Sequence, residues 1–171
     1  MRISPLPRLM LRDLTELTPE LLHQKGIRLL MLDFDNTIVP YTTSVPTREM
    51  ETWLKTMLAS DISMCVVSNS KKDRVKIFCD RWGLDCITRS KKPFPKGIRQ
   101  CLNRYGIDPS QCALAGDQIY TDVLGANGCG VYSILVKAIH NHTIWLKLRH
   151  ILELPFIGIA HLCGRKLKTG R

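Results

Sequence analysis

Five short apolar runs, separated by segments with helical periodicity, constrain this chain more than any other feature. They lie at 27–34 (IRLLMLDF), 62–68 (ISMCVVS), 85–88 (DCIT), 112–116 (CALAG) and 131–136 (VYSILV). Between the first two, Met50, Leu54, Met57 and Leu58 recur at helical spacing. Strands that are apolar throughout, rather than alternating, are buried on both faces. When such strands alternate with helices, the expected class is α/β, a parallel sheet covered on both sides. Helix ends can be read as well. Thr18-Pro19-Glu20 opens a short helix, Asn69 or Ser70 can cap a helix over 71–83, and Gly83 and Gly106 stop two helices.

In such sheets ligands bind beyond the carboxyl ends of the strands. Asp33 and Asp35, Ser68 and Asn69, Lys91 and Lys92, and Gly116 with Asp117 each follow an apolar run, so they are expected to meet in one crevice. Burying a carboxylate costs several kcal/mol unless it is paired, protonated or metal-bound. Asp33, Asp35, Asp117 and Asp122 together would repel one another without a hard cation, and oxygen ligands of this kind suit Mg²⁺. A Ser68 hydroxyl and a lysine ammonium suit phosphoryl oxygens. Lys91, Lys92 and Lys96 all flank Pro93 and Pro95, so each could reach in. The crevice reads as a metal-assisted phosphoryl-transfer centre.

These residues also carry a resemblance. "DFDNT" (33–37) resembles the first motif, DxDxT, of the haloacid dehalogenase (HAD) phosphatase superfamily. "VVSNS" with Ser68, "KKP" with its lysine, and "GDQIYTDVLGAN" with Asp117 and Asp122 resemble motifs two to four, in order and each after an expected strand. The resemblance implies a Rossmannoid three-layer αβα sandwich. It also implies Asp33 as the nucleophile that becomes a phosphoaspartate and Asp35 as the acid/base. By the same resemblance Mg²⁺ sits on Asp33, the Asp35 backbone carbonyl and Asp117, with Asp122 in support, and Thr37, Ser68, Asn69 and Lys92 face the substrate. Lys92 is preferred because the lysine directly before proline matches the family pattern. The gaps between motifs are too short for an inserted cap domain. The finer pattern "DFDNTIVPY", "KKPFPK" and "GDQIYTDVLGAN" is similar to the YqeG branch of class IIIA, and through it to mitochondrial-type phosphatidylglycerophosphate phosphatases. That implies a lipid head group as substrate and phosphatidylglycerol as product.

At 171 residues, 44% hydrophobic and 23% charged, the chain has the size and composition of one globular domain with tails. The expected division is an N-terminal segment with a short helix (1–26), a catalytic core (27–138) and a basic tail (139–171). Seven scattered cysteines without a CxxC pair read as core residues in a reducing compartment. A net charge of +10 calls for an anionic partner. In the tail, Ile144, Trp145, Leu148, Ile151 and Leu152 share one helical face, and Arg165, Lys166, Lys168 and Arg171 follow. That pattern suits an interfacial segment on anionic lipid, and equally a helix packed on the protein's own core. His140 and His142 lack further spaced ligands and read as surface residues. No apolar stretch approaches the ~20 residues of a spanning helix, so the expected protein is cytoplasmic and able to sit on a membrane surface. Two other functions fit parts of the pattern. One is a phosphatase acting on a soluble or nucleic-acid phosphate, although no interleaved aromatic and basic patch marks a nucleic-acid partner. The other is a phospho-acceptor of the receiver type, a class that lacks the DxDxT arrangement.

Overall fold

The computed structural model describes residues 4–71, 73–139 and 158–159. Its six strands are β1 (Leu9–Leu11), β2 (Leu29–Leu32), β3 (Ser63–Val67), β4 (Asp85–Ile87), β5 (Cys112–Gly116) and β6 (Tyr132–Val136). All are parallel, in the order β1-β6-β5-β2-β3-β4. The chain steps from β2 outward to β3 and β4, then returns to β2's other side with β5. β2 is therefore the switch point, and the crevice of such a sheet opens beyond its carboxyl end.

The helices are α1 (Pro19–Gln24), α2 (Arg48–Leu58), α3 (Arg74–Trp82), α4 (Lys96–Tyr105) and α5 (Leu124–Gly128). Because strand side chains alternate between faces, β2 feeds two cores. Leu30 and Leu32 pack with Leu22 of α1, Met50, Trp53, Leu54 and Met57 of α2, and Val75 and Phe78 of α3. Leu29 and Met31 pack with Ile98, Cys101 and Leu102 of α4 and Ala126 of α5. The layering is αβα, as expected for the HAD fold. One helix with its loops joins Asp35 to Ser68, and α3 with β4 joins Ser68 to Lys92, so no cap domain interrupts these segments.

Local signals explain most boundaries. Thr18 and Thr47 accept the Leu21 and Met50 amides at 3.2 Å each and cap α1 and α2. Gly83 and Gly106 adopt left-handed φ of 65° and 61° where α3 and α4 stop. The expected capping of α3 by Asn69 or Ser70 is not found. Asp73 occupies the cap position without a side-chain bond, because the Asn69 amide is committed elsewhere. The N-terminal segment holds its short helix and, in addition, the edge strand β1. That strand pairs Leu9, Met10 and Leu11 with Ile134, Leu135 and Val136. Three residues behind Pro5 and Pro7 give no readable period, so only pairing with β6 defines it. The tail segments expected at 144–152 and 165–171, with His140 and His142, lie outside the described residues. Among the described residues no helix is long and apolar enough to cross a membrane.

Candidate active site

The fold delivers each chemical group at a strand's carboxyl end. Asp33 leaves β2, where its amide donates to the Ala115 carbonyl at 2.9 Å, and its side chain is buried. The next residues turn sharply. The Ile38 and Val39 amides both donate to the Phe34 carbonyl, at 3.1 and 3.3 Å, and Asn36 takes a left-handed φ of 60°, a conformation asparagine tolerates better than most residues. This turn carries Asp35. Its carboxylate accepts a hydrogen bond from Arg74 Nη2 at the start of α3. Arg74 also donates to the Tyr41 carbonyl at 2.6 Å, and its guanidinium lies 5.0 Å from the Phe34 ring and 5.7 Å from the Tyr41 ring. Helix α3 thus fixes the loop that carries Asp35. Thr37 is buried, with no hydrogen-bond partner for its hydroxyl oxygen.

Of the three candidate lysines the structure brings in Lys92, while Lys91 and Lys96 are exposed. Lys92 Nζ lies 2.7 Å from Asp33 Oδ1 and 2.7 Å from Asp122 Oδ1. Burial works against its ammonium, yet Asp122 and Asp33 outweigh burial and raise its pKa above the ordinary 10.5. The loop that aims it is held on both sides. Asn69 Nδ2 donates to the Lys92 carbonyl at 2.9 Å, and Asn69 Oδ1 accepts the Lys92 amide at 2.7 Å and the Ser90 hydroxyl at 2.8 Å. Asn69, expected at the substrate, is therefore a strut between the loops after β3 and β4. Those bonds stabilise left-handed conformations at Arg89 and Lys91 (φ 53° and 60°), each of which costs about 1 kcal/mol or more in isolation. Ser68 is buried at the end of β3, and its Oγ accepts the Ser70 amide at 3.0 Å, which leaves its proton free to donate.

Asp117 and Asp122 follow β5. Asp122 stands on a single π-helical turn (Ile119–Val123), and its Oδ2 accepts the Gln118 amide at 3.1 Å. Asp122 thus has a hydrogen bond at Oδ2 and the Lys92 ion pair at Oδ1. Its seat depends on Gly116, since a Cβ there would stand 2.4 Å from Asp122 Cγ and Oδ2. Asp117 Oδ1 is buried with no hydrogen-bond partner, and Asp122 Oδ1 likewise has none beyond its ion pair with the Lys92 ammonium.

Asp33, Asp117 and Asp122 each bring an oxygen within 4.8 Å of the others. Burial, then Asp122 and Asp33, push Asp117 up to about 8. Burial and Asp122 push Asp33 up to about 6, against the pull of Lys92. Carboxylates this close that resist ionisation, one with an orphaned buried oxygen, fit a hard divalent cation, which would relieve both. Arg74 and Ser90 belong to the site although the sequence singles out neither, and Gly116, expected at the crevice, is there as the seat of Asp122. No sequence pattern links Arg74 to an acid 39 residues earlier, whereas Gly116, directly before Asp117, could have been suspected as a close backbone approach.

Comparison with known proteins places this geometry. Residues 2–139 match the family model described as mitochondrial PGP phosphatase. The Bacillus subtilis (strain 168) protein YqeG, described as a probable phosphatase, is 31% identical over 131 residues, covering 77% of this chain and 76% of its own. Human N-acylneuraminate-9-phosphatase is 30% identical over 73 residues, 43% of this chain and 26% of its own. Among solved structures, a hypothetical protein of Xanthomonas campestris shares the fold at TM-score 0.56 and 17% identity, over 87% of this chain and 80% of its own. A Legionella pneumophila protein described as a HAD superfamily subfamily III A hydrolase does so at TM-score 0.53 and 13% identity, over 84% of this chain and 94% of its own.

Proposed function

Because the chain belongs to the mitochondrial PGP phosphatase family and is a phosphatase of the HAD superfamily, we propose that it hydrolyses the terminal phosphate monoester of phosphatidylglycerophosphate through a phosphoaspartate on Asp33. The observation that carries the chemistry is the convergence of Asp33, Asp117 and Asp122 on Lys92 at the carboxyl end of β2.

Asp33 is the nucleophile. One of its carboxylate oxygens attacks phosphorus, and the bond from phosphorus to the glycerol oxygen breaks. Asp35 gives that leaving oxygen a proton. Asp35 then accepts a proton from water as the water attacks phosphorus, which releases inorganic phosphate and restores the Asp33 carboxylate. Lys92 and Ser68 hold phosphoryl oxygens, and Lys92 also keeps Asp33 ionised against the cost of burial. Asp33 and Asp117, with the Asp35 carbonyl and with Asp122 in support, would hold Mg²⁺. Once bound, that ion supplies charge neutralisation between an anionic nucleophile and an anionic phosphoryl group.

The family description and the absence of a cap between the motifs support the lipid head group, because an open mouth admits a substrate presented at a surface. A soluble phosphate ester is the second reading, favoured by the partial match to a sugar-acid phosphatase. Phosphate release from phosphatidylglycerophosphate in mixed micelles, compared with soluble esters and with Asp33→Asn as control, separates the two. Preference for the lipid, Mg²⁺-dependent and lost in the variant, is expected. Activity on soluble esters alone would remove the lipid assignment.

A further inference from the structure

Of the six large hydrophobic side chains exposed among the described residues, the four most exposed stand together, while Leu58 at the end of α2 and Ile159 lie apart from them. Tyr41, Val45 and Phe94 stand on loops at the carboxyl edge of the sheet, at 53%, 61% and 69% exposure, and Ile77 stands on the first turns of α3 at the same edge, at 66%. Contacts already described join these segments around the crevice. Arg74 bonds the Tyr41 carbonyl, Asn69 bonds Lys92, and the Arg89 amide donates to the Ser70 carbonyl at 3.1 Å. Phe94 is presented outward from its turn, where its amide donates to the Lys91 carbonyl at 2.9 Å. The same loops expose Lys71, Arg89, Lys91 and Lys96, against one exposed acid, Asp73.

We infer that this rim is a docking surface for a bilayer containing anionic phospholipid, with the crevice facing the head groups. Aromatic and aliphatic side chains gain by leaving water for the interface, and the cations between them gain from the negative surface potential. Charge alone would also fit a polynucleotide, but Val45 and Ile77 offer no ring for a base to stack on, so the combination favours lipid. Docking this way holds the mouth of an uncapped site against its substrate. The inference deepens the lipid-substrate reading and rests on it for the substrate, whereas docking itself is measured without substrate.

The test is sedimentation of the full chain with vesicles of phosphatidylcholine alone and of phosphatidylcholine with phosphatidylglycerol. It compares wild type with a Phe94→Ser, Val45→Ser double variant that keeps the whole catalytic set. Wild type is expected to bind the anionic vesicles preferentially. The variant is expected to bind them about tenfold or more weakly, with hydrolysis of a soluble phosphate ester unchanged. Equal binding by variant and wild type would place membrane contact elsewhere and overturn the inference, as would wild type that ignores anionic lipid or binds RNA in its stead. Docking with hydrolysis of soluble esters only would instead sink the substrate reading and leave the surface standing.

Discussion

Replacing Asp117 by asparagine should stabilise the metal-free protein while removing its response to metal. In the fold Asp117 is pushed up to about 8 from an ordinary 3.8, by burial first and then by Asp122 and Asp33. A carboxyl raised in this way keeps its proton in the folded chain after the unfolded chain has released it. Folding stability therefore falls as pH rises through the window from about 4 to about 8. At about 1.4 kcal/mol per pH unit, that window caps the penalty of ionised Asp117 at about 6 kcal/mol. Water entering the crevice lowers it, and about 2 kcal/mol is the expected gain for Asp117→Asn at about pH 8. The gain should shrink toward zero as pH approaches about 4, where both chains carry the proton. Mg²⁺ at a hundred times its dissociation constant adds about 2.7 kcal/mol to wild type, and much less to a variant that has lost a carboxylate. Urea unfolding at about pH 5 and about pH 8, in chelator and in Mg²⁺, measures all four quantities. A variant less stable than wild type at the higher pH in chelator, or stabilised by Mg²⁺ as strongly as wild type, would refute the reasoning.

Lys92→Met leaves Asp33 and Asp122 buried without a counter-charge and should destabilise the fold by about 3–5 kcal/mol. The loss should be larger above about pH 6, where Asp33 ionises, than below it, as denaturation at two pH values will show. Gly116→Ala drives a methyl group against Asp122, 2.4 Å from its Cγ, and should cost about 1–3 kcal/mol together with most of the phosphatase activity. Full activity there would mean that Asp122 can move without consequence. Arg74→Met should lower kcat in wild type and add little in an Asp35→Asn background, because Arg74 acts through Asp35; additive losses would assign it a separate role.

How much of this was legible followed from how local each signal is. The strand at 112–116 is marked by five consecutive apolar or small residues and was read to the residue, and Thr18, through its hydroxyl, and the two stop glycines, through their lack of a side chain, each carry their mechanism locally. The acids and Ser68 were legible because parallel strands deliver their carboxyl ends to one edge. Lys92 could be chosen over its neighbours only by resemblance. The structure supplies the physical reason, since alternate residues of the 89–92 loop turn outward and inward and Asn69 fixes that alternation. The bracing role of Asn69 was hidden for the same cause, because its partners lie 21 and 23 residues away. Arg74 and β1 were not foreseen because each is defined by a distant partner, Asp35 for one and β6 for the other.

The central claim is that Asp33 itself takes the phosphoryl group. The direct measurement is an acid quench during turnover of an aryl phosphate, followed by mass analysis of the peptide that carries Asp33. An aryl leaving group needs little protonation, so Asp35→Asn should slow water attack more than formation of the intermediate. The expected result is a phosphoryl group on that peptide, more abundant in Asp35→Asn and absent in Asp33→Asn. Sustained phosphate release with that peptide unmodified, or undiminished turnover by Asp33→Asn, would contradict the account.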